Sequence, residues 1–331
     1  TPSYMGVACR VLAVFASFFC AANSLRLAFF SSALPGTRPP ILILPGFGND
    51  SVDYDNGEPP DLKSTKSLID KVVRDTRFVL GQDKQETADS ECDPGLMSRL
   101  KRRGFDSVDI LPVERPEWIK IVGGLLDSDF RSGNAPPETA FGWYLDRVDQ
   151  EVERIFRTTG EPVLLLGHSA GGWLARAALG RNPKLVDQTR ALVTLGAPHT
   201  LAPDGEDQTQ GALRYVEENF PGAFFKDKGI EYVTVGGSAV LGVDKASRGT
   251  AEKESFISYK RLAGRGDVLG DGIVPLSSAH LEGATQITLP AAKHSIGTPS
   301  EWYGADDVID QWLPEVTSRL AFQTLKAPFA R

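Results

Sequence analysis

At 331 residues and 41 % hydrophobic content, the chain carries enough apolar material for one large α/β domain or two small ones. Its net charge is −7 and it has no basic run, which sets nucleic acid aside as a partner. Nothing in the body of the chain reaches the length of a membrane span.

The first residues differ in character from the rest. VLAVFASFFCAA, residues 11–22, is apolar, with Arg10 before it and the small residues Ala21, Ala22 and Ser24 behind it. A basic lead, a short apolar middle and a small-residue exit predict a cleaved signal peptide, with Met5 as its start. Residues 25–38 contain Arg26, Arg38 and several serines but no acid, a transit-like composition. The pair addresses a secretory route or, in an alga, a plastid of complex origin. The targeting segment is therefore set at 1–38 and a single domain at 39–325. Cys9 and Cys20 fall within the leader, so Cys92 alone remains after cleavage and cannot form an intramolecular disulfide or a cysteine metal site.

ILIL at 41–44 reads as a short buried strand stopped by Pro45-Gly46. The polar stretch 49–93 reads as an excursion with one apolar helical patch near 68–73. A short helix at 96–103 and a strand at 108–113 follow. Residues 138–157 carry Phe141, Tyr144, Leu145, Val148, Val152, Ile155 and Phe156 on one helical face, and Gly160-Glu161-Pro162 closes that helix. Further buried strands are predicted at 163–166, 191–195, 232–235 and 286–289, with a final amphipathic helix at 306–320. Apolar strands alternating with helices predict a mainly parallel sheet covered on both faces, with excursions at 49–93, 114–137, 199–229 and 238–268.

The stretch LLLGHSAGGWLARAAL places Ser169 between a buried strand and an Ala-rich helix. A nucleophilic serine must stand clear of the backbone, and a sharp strand–turn–helix corner does this while crowding the chain around it. Gly167 and Gly171 stand where that crowding is relieved. The helix N-terminus aims N–H groups at a developing oxyanion, and Ala170 would supply one of them.

GHSAGGWLARAAL, TLGAPH and GDGIVP together resemble the α/β-hydrolase superfamily. More narrowly, they resemble a lipase-like group of plants and algae, often plastid-directed. The resemblance covers most of residues 40–320 and implies an α/β-hydrolase fold with cap or lid excursions. It also implies the chain order Ser, acid, His. His294, in a polar turn just after the strand at 286–289, is preferred as the base over His280, which precedes that strand. Asp271 matches the acid of a D-G-x-V-P turn in similar lipases, with Asp244 as runner-up and Asp267 a neighbour in the same segment. PGFG at 45–48 resembles the Gly-Phe loop of ordinary lipases and nominates the N–H of Phe47 as the second oxyanion donor. His168, His199 and Trp173 are pocket candidates, although His168, adjacent on the elbow, should point away from the nucleophile and a satisfied wall histidine is the simpler reading of His199.

The function this implies is cleavage of carboxylic esters, with lipid acyl esters first among the substrates, and with no metal or cofactor. A peripheral membrane contact would suit such a substrate. Trp118, Ile121, Val122, Leu125, Leu126, Phe130, Phe220, Phe224 and Phe225 in the excursions suggest either an acyl pocket and lid or ordinary loop packing. An acyltransferase and a low-turnover binding protein on the same fold remain alternatives.

Overall fold

Six strands align parallel in the order β2-β1-β3-β4-β5-β8: β1 (Ile41–Leu44), β2 (Val108–Ile110), β3 (Val163–His168), β4 (Thr189–Leu195), β5 (Glu231–Gly237) and β8 (Thr285–Leu289). Between β5 and β8, β6 (Val240–Leu241) and β7 (Leu269–Gly270) form a separate antiparallel pair. The computed structural model describes residues 38–55, 95–298 and 300–326. The targeting segment predicted at 1–38, apart from Arg38, lies outside the described residues. So does the excursion at 49–93 beyond Asp55, with its helical patch.

Alternation along the strands explains the layering. Leu42, Leu44, Leu165 and Leu192 point to one face, where they pack with Phe141, Leu145 and Val148 and with Trp173 and Leu174. Ile41, Ile43, Leu164, Leu166, Val193 and Val235 point to the other, against Leu96, Leu100, Ile309 and Trp312. Both faces of the inner strands β1, β3, β4 and β5 are thus buried, which is why their centres read as apolar runs, while the edge strands β2 and β8 stay partly exposed. Each fully buried Leu or Ile contributes about 1.5–3 kcal/mol relative to exposure.

Four helices do most of the covering: α1 (Leu96–Arg102), α2 (Pro137–Thr159), α3 (Ala170–Arg181) and α4 (Asp306–Lys326). Proline at the first position opens α2, and Gly160, at φ 73°, ends it with its N–H on the Phe156 carbonyl. Pairing of Ile41 with Leu164, Leu42 with Leu165 and Ile43 with Leu166 fixes the register of β1 on β3. Because the main strands run parallel, Pro45, Ser169, Gly196 and the loop after β8 all emerge at one rim of the sheet.

The excursions hold structure of their own. Residues 114–137 contain a 3-10 helix (Arg115–Leu126) and one helical turn (Ser128–Ser132). The segment 199–229 contains the helix Ala212–Asn219. The segment 238–268 contains β6 and the helix Ala251–Ala263, which Thr250 caps through the Lys253 N–H. Of the apolar side chains noted there, Trp118 and Phe130 are buried while Leu125, Leu126 and Phe224 are exposed. No helix among the described residues is long and apolar enough to cross a membrane.

Candidate active site

Ser169 sits at the corner between β3 and α3 with φ 52° and ψ −126°. A positive φ is uncommon for a residue with a side chain and costs of order 1–3 kcal/mol, so the surrounding structure must hold it. The neighbouring packing shows how. A Cβ on Gly167 would lie 2.5 Å from the Cα of Gly172, and one on Gly171 would run into the Leu44 carbonyl. Both glycines are required by close approach at the corner.

The corner delivers the serine hydroxyl to a hydrogen-bonded chain. Ser169 Oγ lies 2.9 Å from His294 Nε2, and His294 Nδ1 lies 2.8 Å from Asp271 Oδ2. A carboxylate oxygen only accepts, so Nδ1 carries the imidazole proton and Nε2 is left to accept from the serine. The His294 backbone N–H also bonds the Asp271 carbonyl at 2.9 Å.

Asp271 is buried, and all four acceptor sites of its carboxylate are used. Oδ1 takes the N–H groups of Ile273 and Val274 at 3.0 and 2.7 Å, and Oδ2 takes His294 Nδ1–H and the Tyr303 hydroxyl at 2.8 Å each. Burial alone would raise its pKa. The charge and hydrogen bond of His294, with the Val274 N–H and Tyr303 hydroxyl, outweigh it and hold the carboxyl below the usual range. Neither other acid approaches the imidazole. Asp244 is paired with Lys253 and Asp267 with Arg265, both on the surface.

The loop after β1 passes beside the serine. A Cβ on Gly46 would come within 2.8 Å of the Ser169 Cβ. That places the Gly46–Phe47 peptide next to the hydroxyl, while the N–H of Gly46 itself goes to the Tyr54 hydroxyl at 3.0 Å. The loop is anchored on several sides. Tyr144 donates to the Pro45 carbonyl, Trp118 Nε1 to the Asn49 carbonyl and Arg115 Nε to the Gly48 carbonyl, each at 2.9 Å. Arg115 also grips the buried Asp53 carboxylate through two bonds of 2.9 and 2.8 Å. The Phe47 ring packs 5.1 Å from Trp118. Ala170, the first residue of α3, presents the helix N-terminus at the same spot.

The three pocket candidates all lie in the interior, which for His199 is the wall position the sequence favours. His168 ends β3, is 2 % exposed and is held between Tyr54 and the His294 carbonyl. Burial, then the neighbouring His294, pushes it down to about 3, so it stays neutral. His199 is fully buried, with Nε2 2.9 Å from the Thr194 hydroxyl and its carbonyl receiving Arg176. Trp173 lies inside α3, edge-on to Phe141 at 5.0 Å. His280 bonds Thr234 and Thr288, away from Ser169. Tyr54 and Tyr303, which no motif marked, contact the site residues directly.

A parallel sheet with helices on both faces, a strained serine between β3 and the following helix, and an acid and a histidine arriving later in the chain constitute the α/β-hydrolase fold. A family model described as PGAP1-like alpha/beta domain matches residues 144–322, more than half of the chain, and the chain belongs to that family. Among solved structures, the mature lipase BlEst2 of Bacillus licheniformis is similar at 13% identity and a TM-score of 0.45, over 88% of this chain and 94% of that one. The metagenomic carboxyl esterase MGS0156 is similar at 13% identity and a TM-score of 0.43, over 90% and 80%. A soluble variant of the monoglyceride lipase of Saccharomyces cerevisiae is similar at 11% identity and a TM-score of 0.39, over 88% and 89%. Comparison with curated proteins finds no match.

Proposed function

We propose that the chain is a serine hydrolase of carboxylic esters, and that its substrates are lipid acyl esters. The observation that carries this reading is the bond chain Ser169–His294–Asp271 at 2.9 and 2.8 Å, headed by a serine held at positive φ.

His294 takes the serine proton on Nε2 as Ser169 Oγ attacks the ester carbonyl. Asp271 keeps the imidazole proton on Nδ1 and stabilises the imidazolium that forms. The N–H groups of Ala170 and Phe47 receive the oxyanion, which costs little reorganisation because the loop after β1 is anchored before substrate arrives. His294 then protonates the leaving alcohol, and water, activated by the same imidazole, hydrolyses the acyl-enzyme.

Exposed apolar side chains next to the site support a lipid substrate. Ile119, Leu125 and Leu126 stand out from the 3-10 helix whose Trp118 packs on Phe47. Leu269, two residues before Asp271, and its register partner Leu241 are both half exposed. Such side chains cost solvation in water and gain it against acyl chains.

A fluorophosphonate probe with mass mapping tests the reading. Label is expected on Ser169, and p-nitrophenyl ester hydrolysis is expected to disappear in Ser169→Ala. A folded protein that takes no label, or hydrolysis unchanged in Ser169→Ala, would overturn it.

A further inference from the structure

The residue before the nucleophile makes a connection that the reaction itself does not use. Tyr54 Oη receives the Gly46 N–H at 3.0 Å and the Asn49 side-chain amide at 2.8 Å. Those two donors fill its lone pairs, so its own hydrogen goes to His168 Nδ1, 2.8 Å away. His168 Nε2 lies 3.0 Å from the His294 carbonyl, which can only accept. Both ends therefore agree on one tautomer: Nδ1 accepts and Nε2–H donates. The imidazole rings of His168 and His294 also lie side by side, tilted by 38° with 5.0 Å between their centres.

The result is a continuous relay of oriented bonds: Gly46 N–H to Tyr54, Tyr54 to His168, His168 to the backbone of His294. Its three contacts belong to the loop after β1, the end of β3 just before Ser169 and the loop after β8. These segments meet only at the rim of the sheet. Tyr54 and His168 are buried, so no water competes for the bonds.

We propose that Tyr54 and His168 are positioning residues that set the His294 backbone at a fixed height relative to Ser169 and the Gly46–Phe47 loop. This rests on the hydrolase reading of the site. A base, a nucleophile and an oxyanion cradle carried on three loops lose alignment with small independent shifts, and a displacement near 1 Å costs about a hundredfold in rate. The relay joins the three through one neutral imidazole that cannot exchange roles.

The test compares Tyr54→Phe, His168→Gln and His168→Leu in the full chain on a short soluble p-nitrophenyl ester, with Tm recorded for each. Gln can still donate to the His294 carbonyl, and Leu cannot. We expect kcat to fall tenfold or more in Tyr54→Phe and about a hundredfold in His168→Leu, with KM changed less than threefold. His168→Gln should recover at least a tenfold part of the Leu loss. Fluorophosphonate labelling of Ser169 should be slowed in the same order yet still reach completion. Equal kcat in the Gln and Leu variants, or wild-type kcat in a folded Tyr54→Phe, overturns the relay while the hydrolase reading stands. If Tyr54→Phe does not fold, the Gln and Leu pair decides alone. Wild-type protein that neither labels nor hydrolyses overturns both.

Discussion

Tyr303 donates its hydroxyl hydrogen to Oδ2 of Asp271 at 2.8 Å, the same oxygen that accepts Nδ1–H from His294. The tyrosine oxygen is itself fixed by the Gly237 N–H at 2.7 Å. The carboxylate is therefore aimed from behind by the end of β5 before the histidine meets it. Tyr303→Phe removes one donor from a buried carboxylate and strands the Gly237 N–H. Stability should fall by about 1.5–3 kcal/mol in urea unfolding, with a smaller loss of kcat than in Asp271→Asn.

Asp271→Asn keeps the shape of the site but replaces an acceptor by an amide that can hold the wrong imidazole tautomer. In a Ser-His-Asp arrangement that change costs about ten-thousand-fold in kcat. Asp244→Asn, on the surface with Lys253, should leave kcat unchanged. Initial rates on one soluble ester check both, and the reverse pattern would remove Asp271 from its role.

Ser169 pays for its position with backbone strain at φ 52°. Ser169→Ala retains that strain, and Ser169→Gly relieves it. Both should be inactive, with the glycine variant the more stable by about 1 kcal/mol in denaturant unfolding. Equal stabilities would mean the corner is not strained.

Gly46→Ala tests the approach of the loop after β1. The added Cβ would meet the Ser169 Cβ at 2.8 Å and the His168 carbonyl at 3.1 Å, neither of which can swing aside. The loop must back away from the hydroxyl, and kcat should drop by about tenfold to a hundredfold. Circular dichroism should show the fold retained.

The buried His168 makes stability depend on pH. Folded, it titrates at about 3, against 6.5 for an exposed imidazole. Between those values the unfolded chain binds a proton that the folded chain refuses, so stability rises with pH and is lost as pH falls below 6.5. By pH 5 the loss from this group is about 2 kcal/mol. Urea unfolding at pH 7 and pH 5 should show His168→Gln losing less stability than wild type by that amount.

All six strands of the main sheet were legible: the inner strands β1, β3, β4 and β5 are buried on both faces and read as apolar runs, while the edge strands β2 and β8 are partly exposed and carry polar residues among the apolar ones. Ser169 stood out through local spacing, and His294 and Asp271 through the chain order and turn that the hydrolase resemblance implies; the folded chain brings His294 within hydrogen-bond distance of the other two. The pair β6 and β7 left no trace, since two-residue strands are too short to show alternation. Tyr54 and Tyr303 were equally silent: their role lies in contacts 114 and 32 residues away along the chain. Trp173, His168 and His199 are all buried; for His168 the elbow geometry and for His199 the wall reading had pointed that way, whereas closeness of Trp173 to the motif said nothing about which side of the helix it takes.

Ser169, His294 and the Gly46–Phe47 loop gather at one rim of the sheet, and the turns that lead into the strands lie at the opposite rim. The turn at Thr159, Gly160 and Glu161 lies exposed on that far rim, between α2 and β3. An affinity handle or a surface linker grafted there would tether the molecule with its reaction centre facing outward. Immobilised preparations made this way should retain full turnover, a practical benefit of putting every reactive loop at the same end of parallel strands.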